Sequence, residues 1–454
     1  MTTSFKVTII SMYALISLAL LLSAILNPMF LVIACGFFSF VLLLFLFITN
    51  KLKFIHYITI MIPSVVLSPF MQFPGLPAIK LEDMWLAFGG ILLAIKIAKE
   101  KNLKFICPSY AKTFSVFIVW IAFTIFLSSY REPHLYSNRD WMEIIKNVKL
   151  LIILLLAVNV KLEGNKQKKI VNTMIITMLV ASAFGFMQYF NFLNVNSWLT
   201  PHYIFEAKIR DLENQNRVVS TFGNPNTYAG ALLIGIAFSF CEFLKSYKIK
   251  YALCLMVFFV ALMTSLSRTA LVVSLIMISI MSFMIFWKTR HKIKMLFYFS
   301  FIPLIFLIGL QFAPDRFFYR MSFLDDVSQD TSFQARLGIW RLIFETRTKI
   351  NLLTGTGPVK QIHFEFDNEW LMLLTYYGTI GIAIFLTIFV GVYLKLGEMK
   401  NNNNNFYNLA AKALMSAFAV YMITMPAFQQ LQLMPMITLM LGIVLNKSAI
   451  NNEE

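Results

Sequence analysis

Trp370 to Leu394 reads WLMLLTYYGTIGIAIFLTIFVGVYL, a run without a charged residue that stops at Lys395. A helix rises about 1.5 Å per residue, so roughly 20 apolar residues cross a hydrocarbon core about 30 Å thick. No water reaches the backbone there, so such a run must be a helix that bonds to itself. Similar runs recur along the chain. The clear ones are Val7 to Leu26, Met29 to Ile48, Phe54 to Phe70, Phe114 to Leu127, Ile170 to Phe190, Tyr228 to Leu244, Ala270 to Trp287, Ile293 to Phe312 and Ala427 to Leu445. Met84 to Ala98, Ile144 to Val158, Ala252 to Leu266 and Leu409 to Met425 are shorter or carry a lysine. The expectation is an all-α integral membrane protein, one polytopic domain over residues 1–454, with about 12 to 14 transmembrane helices.

Composition agrees. Hydrophobic residues make up 59% of the 454 and charged residues 13%, with a mean hydropathy of +0.72; soluble chains have about 25% charged residues. Lysines cluster at Lys51/Lys53, Lys96 to Lys104, Lys161 to Lys169, Lys245 to Lys250, Lys288 to Lys294 and Lys395/Lys400, in every second loop. The positive-inside rule makes these loops cytoplasmic, with Lys6 and Lys447, and so both termini, on that side. The first apolar stretch has the length of a retained span rather than of a signal peptide. The net charge of +17 is then mostly topological, with anionic lipid as its natural partner and no need of nucleic acid. Cys35, Cys107, Cys241 and Cys254 show no paired spacing and read as apolar fillers.

Two connections on the outer side are long, residues 191–226 and 313–367. Long ordered loops are usually functional. In the second, Asp330-Thr331-Ser332 can cap an amphipathic helix from about Phe333 to Thr348 that lies at the outer interface. Arg336, Trp340, Ile343 and Arg347 share one of its faces. Ten of the eleven arginines (131, 139, 210, 217, 268, 316, 320, 336, 341 and 347) fall on the outer side. Guanidinium grips phosphate bidentately, which suits a phosphate-bearing substrate there, whereas pairing with Asp315, Asp325 or Asp326 would merely hold the loop.

No HExxH, CxxC, Walker, dinucleotide-binding or G-x-S-x-G pattern occurs, and the five histidines are scattered, so neither metal nor nucleotide chemistry is expected. Three polar constellations stand out: Ser220 to Tyr228, Ser265 to Thr269, and Gly355 to Pro358 followed by Asp367-Asn368-Glu369 with Gly378 and Gly381. Capping and turn formation account for parts of each, with Asp367 the expected cap of the Trp370 span. Trp340 and Trp370 read chiefly as interface anchors.

FGNPN at Phe222 to Asn226, SRTAL at Ser267 to Leu271, the R-x3-W of Arg336 to Trp340 and the G-x-G-P of Gly355 to Pro358 together resemble the O-antigen ligase and polymerase superfamily of bacterial envelope glycosyltransferases. The resemblance covers roughly residues 219–385. It implies a GT-C-like, metal- and nucleotide-independent glycosyltransferase of the inner membrane with its active site at the periplasmic face. Its substrates would be undecaprenyl-diphosphate-linked oligosaccharides. The ligases carry His, then Asn, Ser or Gln, then nine residues, then Gly. Asn368 and Gly378 keep that spacing, but Asp367 holds the histidine position, which favours a Wzy-type repeat-unit polymerase. His363 lies four residues upstream and keeps the ligase, transferring glycan to lipid A core, as the alternative.

On that reading Asp367 is the first candidate for general base and Glu369 the second, with Glu365 and His363 behind them. Arg268 and Arg217, then Arg336 and Arg341, are expected on the diphosphate; Asn224, Tyr228 and Asn368 are expected on sugar or phosphate. The apolar spans beside them would hold the polyprenyl tail. A chain-length regulator is a possible partner. A flippase or secondary transporter is the competing class, disfavoured because no internal repeat is visible and the polar clusters sit at one face.

Overall fold

The computed structural model describes residues 54–71, 79–99, 106–131, 133–134, 136–160, 162, 165–204, 212, 217–288, 310–311, 317–318, 331–349, 351–360, 366–398 and 405–446. The expected spans Val7 to Leu26 and Met29 to Ile48, nearly all of Ile293 to Phe312, and the cap residue Asp330 lie outside them. The helices are α1 (Phe54–Leu67), α2 (Leu81–Lys99), α3 (Ser109–Arg131), α4 (Met142–Asn159), α5 (Lys166–Tyr189), α6 (Pro225–Ser246), α7 (Ile249–Thr264), α8 (Arg268–Lys288), α9 (Thr331–Ile343), α10 (Glu369–Glu398), α11 (Asn405–Tyr421) and α12 (Leu433–Val444). A two-residue antiparallel ladder, Phe70–Met71 with Ile79–Lys80, joins α1 to α2.

Among the described residues five helices, α3, α5, α6, α8 and α10, are long and apolar enough to cross a membrane. α6 packs against α5, α7, α8, α11 and α12 and is surrounded by them. A helix apolar on every side belongs in such a centre. The outer helices carry their apolar side chains outward as well: Val119 and Phe126 on α3, Phe283 on α8 and Leu394 on α10 are all more than half exposed. In water such surfaces would aggregate; against lipid tails they cost nothing. The protein is an all-α integral membrane protein.

Each end of the bundle is stitched by polar side chains. At the lysine-rich end Glu242 of α6 is fully buried, accepts from the Tyr407 hydroxyl and lies 3.9 Å from Lys168 Nζ. Nearby, the Tyr251 hydroxyl donates to Asn172. The arginine-bearing end gathers the loops that the constellations belong to. α4, whose charged residues are Glu143, Lys146 and Lys149, spends each charge on a partner. Lys149 pairs with Glu82 and with Asp83 (2.6 Å), and Lys146 with Glu143. Charges inside a bilayer are tolerated only when paired in this way.

Two expected spans are corrected. Leu409 to Met425 and Ala427 to Leu445 are realised as α11 and α12, and residues 422–432 between them form a loop with a short 3-10 turn at Ala427–Gln429. A hydropathy window averages Gln429, Gln430 and Gln432 into their apolar neighbours. Pro426 nevertheless cannot continue a helix.

The span quoted first is not one continuous helix. At Gly378 (φ 67°, ψ −173°) the backbone leaves the helix and re-enters it at once. Five of the backbone groups beside this break are satisfied from outside. Thr356 N–H donates to Thr375 O (2.8 Å), Gly357 N–H to Tyr376 O (2.9 Å) and Trp120 Nε1–H to Tyr377 O (2.9 Å). In return Thr379 N–H donates to Leu352 O and Ile380 N–H to Leu353 O. The expected outer turn at Gly355 to Pro358 therefore docks into the side of a span. Arg131 secures its start, donating to Thr354 (2.9 Å) and Asn351. Backbone at membrane depth must be fully bonded, and here loop and broken helix complete each other.

Candidate active site

A polar cavity of about 360 Å³ opens at the arginine-bearing end. Asn224 and Asn226 from the start of α6, Lys360, Asp367, and Gln429 with Gln430 from the α11–α12 loop supply its polar wall. Phe366, Met372 and Tyr376 form an apolar side. Asn224 is the N-cap of α6 and accepts from Asn226 N–H at 2.8 Å. The Pro225 that follows fits the first helical position, where its missing N–H costs nothing.

Arginines stand behind two of these residues. Arg336 on α9 donates through Nε to Asp367 Oδ2 at 3.2 Å. Arg217 donates through Nη2 to Asn226 Oδ1 at 3.0 Å and through Nε to Ser265 O at 3.3 Å. Val218 N–H donates to Thr264 O, so the segment before FGNPN and the S-L-S-R turn are bound into one unit. Tyr421 at the end of α11 donates to Asn226 O (2.7 Å). Arg268 opens α8, half-buried, next to Ser267.

Below the cavity lies a buried layer of charge. Glu143 pairs with Lys146 and with Lys360, and Lys146 also donates to Gln429 Oε1. Glu369 is fully buried, and its Oε2 accepts from Phe428 N–H at 2.8 Å. Phe428 turns its ring the other way, into an apolar cleft of about 110 Å³ among α3, α4, α10, α11 and α12, lined by residues such as Phe385, Met415, Phe418 and Met422. The loop 422–430 is thus the shared wall of a polar cavity and an apolar cleft.

Of the expected site residues, Asp367 and Asn224 line the cavity, and Arg217 and Arg336 reach it through Asn226 and Asp367. Four expectations change. The cap of α10 is Asn368, whose Oδ1 accepts from Leu371 N–H at 3.0 Å, so Asp367 is released from capping and Asn368 is taken up by it. Glu369 lies beneath the cavity rather than on its wall. Tyr228 is fully buried, stacked on Phe222 with its hydroxyl toward Gly185, and does not line the cavity. Arg341 points away, 80% exposed and paired with Glu345 one turn on. An exposed pair of this kind contributes little. Arg341→Ala is expected to move stability by no more than about 0.5 kcal/mol and to leave glycan synthesis intact; a thermal melt and a product gel check both. His363 and Glu365 lie outside the described residues.

Trp370 is half-buried. Its Nε1–H donates to Ala419 O at 3.1 Å and its ring packs on Phe385 inside the bundle. Residues that sequence reasoning passed over are Lys360, Thr424, Gln429, Gln430 and Tyr421. The three glutamines between two apolar runs were the available signal, since polar groups at membrane depth are functional by default. Among the described residues no group of three or more His, Cys, Asp or Glu side chains could hold a metal ion.

Fold and site together define a multi-pass membrane protein with a polar chamber, whose charged lining residues are Lys360 and Asp367, set against an apolar cleft. Residues 253–386, less than half of the chain, match the family model described as O-Antigen ligase, so this segment is similar to the O-antigen ligase/polymerase superfamily. The matched segment contains Arg268, Arg336, Lys360, Asp367 and Gly378. It supports a glycosyltransferase-like function in O-antigen processing and does not separate ligase from polymerase. Comparison with individually curated proteins returns no significant match.

Proposed function

We propose that this protein is a surface-polysaccharide polymerase of the inner membrane, with its cavity at the periplasmic face. It transfers a growing glycan from undecaprenyl diphosphate to the terminal sugar of another lipid-linked repeat unit. The observation that carries the reading is Asp367, which lines the cavity, is free of helix capping and is held by an arginine. In the reaction the acceptor hydroxyl oxygen attacks the anomeric carbon of the donor. The bond from that carbon to the diphosphate oxygen breaks, and its electron pair leaves with the lipid diphosphate. The hydroxyl proton passes to the Asp367 carboxylate. Positioned proton transfer of this kind contributes about 10²- to 10⁴-fold.

Negative charge builds on the leaving diphosphate, and fixed cations aimed at developing charge usually supply the largest catalytic contribution. Arg217, Arg268 and Arg336 stand at that end of the bundle. The apolar cleft beyond Phe428 takes the first isoprene units of the carrier. A chain-length regulator would act on this complex from outside the cavity. The ligase is the second reading, favoured by the description of the matched family.

Purified protein given lipid-linked repeat units alone is expected to yield a ladder of longer lipid-linked glycans. A product that forms only when lipid A core is added would decide for the ligase. Return of unchanged repeat units across a vesicle membrane would decide for a flippase. Arg268→Lys keeps the charge but loses the planar fork. It is expected to slow ladder growth at least about 10-fold at normal protein levels, one lost charge-assisted hydrogen bond being worth roughly that factor. Ladders from this variant indistinguishable from wild type would remove Arg268 from the site.

A further inference from the structure

Lys360 is the one cation among the described residues that line the polar cavity, and neither motif nor family match marks it out. The arginines reach that space through Asn226 and Asp367, whereas Lys360 is part of its wall. Its position is enforced from three sides. Its N–H donates to Asp140 Oδ1 at 2.7 Å, and Asp140 is fully buried. Its ammonium pairs with Glu143, which is 3% exposed and anchored in turn by Lys146. The residue before it, Val359, stands at φ 38°. A β-branched side chain in the left-handed region is a genuine outlier that the surroundings must hold in place. Glu143 is also neutralised by Lys146 one turn along α4, so the Lys360 ammonium is not its sole counter-charge.

The charge balance of the chamber points the same way. Asp367 is its one lining carboxylate among the described residues and is matched by Arg336. Lys360 is one-third exposed. An ammonium has three N–H donors, and Glu143 is the one carboxylate within ion-pair distance of this one among the described residues. Donors remain for a ligand in the cavity.

Resting on the function proposed above, we infer that Lys360 binds the phosphate groups of the lipid-diphosphate substrate from the cavity wall, with Glu143 as its positioning residue. The cation serves the donor's leaving group, while Asp367 serves the acceptor's hydroxyl. The two wall residues thereby divide the cavity between the two substrates.

The test uses full-length protein in nanodiscs with farnesyl diphosphate as probe and farnesol as its uncharged control. Wild type is expected to bind farnesyl diphosphate more tightly than farnesol. Lys360→Met is expected to weaken farnesyl diphosphate binding about 10-fold or more while leaving farnesol binding and the melting temperature unchanged. Lys360→Arg is expected to retain binding within about 3-fold, because charge and donors survive. In the polymerisation assay Lys360→Met should raise the KM for lipid-linked donor. Glu143→Gln should weaken farnesyl diphosphate binding less than Lys360→Met does. Equal affinity of wild type and Lys360→Met for farnesyl diphosphate would overturn the role of Lys360 alone. Wild type that neither prefers farnesyl diphosphate to farnesol nor extends glycans would overturn the proposed function, and the inference with it. If Lys360→Met fails to fold, Lys360→Gln, which keeps a hydrogen-bond donor for Glu143, carries the same comparison.

Discussion

Gly378→Ala is expected to abolish the cooperative thermal transition of the detergent-solubilised protein. A Cβ at this position would sit 2.1 Å from Leu353 O and 2.4 Å from Leu353 C, and both are backbone atoms that cannot swing aside. The conformation itself, φ 67° with ψ −173°, belongs to a region that only glycine occupies. Strain and clash together should cost at least about 3 kcal/mol. The loss does not stay local. Leu352 and Leu353 supply the carbonyls for Thr379 and Ile380, so pushing the loop away leaves backbone groups of a membrane span without partners. Gly355→Ala attacks the same contact from the other side, its Cβ falling 2.4 Å from Tyr376 O. The double variant should therefore cost clearly less than the sum of the two singles, as expected for residues that break one shared interface. A Gly378→Ala melting temperature within about 2 °C of wild type would show that the helix break is dispensable.

The same contact shows how far the residues alone can be read. The nine-residue spacing from Asn368 to Gly378 and the G-x-G-P turn were visible as separate signals. Their mutual docking was not, because hydropathy describes what a segment prefers to be near and says nothing about which backbone groups it will complete. Periodicity did better. The four residues expected on one face of the helix, Arg336, Trp340, Ile343 and Arg347, are together the less exposed ones, while Leu337, Arg341 and Phe344 are exposed. That pattern needs only 3.6 residues per turn. Past Ile343 the turn widens into a π-helical one at Phe344–Thr348, which carries Arg347 along on the same side.

The cavity was legible only in part, for a related reason. Its arginines announced themselves by falling where cations are scarce, and Asn224 by its place in FGNPN. Lys360 did not, since one lysine in a loop reads as a solvated charge until Glu143, far away in sequence, is seen buried against it. Asp367 and Asn368 were equally good caps by residue type, and the hydrogen bond to Leu371 alone assigns the role to Asn368. Tyr228 erred the other way. It stands four residues beyond Asn224 on the first turn of α6, and a helix that is buried on every side turns such a residue into the core.

That division of labour between Asp367 and Asn368 makes the chemistry at the cavity separable from its architecture. Asp367→Asn keeps an oxygen for Arg336 and nearly the same volume, but it cannot take up a proton. Synthesis of the glycan ladder by this variant is expected to fall about 10²- to 10⁴-fold, with farnesyl diphosphate binding and melting temperature close to wild type. Asp367 is 43% exposed, so its loss leaves no buried group unpartnered. Asn368→Ala should behave in the opposite way, costing about 1 kcal/mol of stability through the lost cap and changing turnover only in proportion to folded protein. Asp367→Glu lengthens the side chain by about 1.5 Å and should restore part of the rate, because proton transfer demands reach before basicity. Full activity in Asp367→Asn would assign Asp367 the holding of Arg336 and move the base to another residue. Loss of activity in parallel with loss of farnesyl diphosphate binding would instead mark Asp367 as part of the diphosphate's seat. A drop in turnover at constant affinity, recovered in part by glutamate, is the outcome that belongs to a proton acceptor.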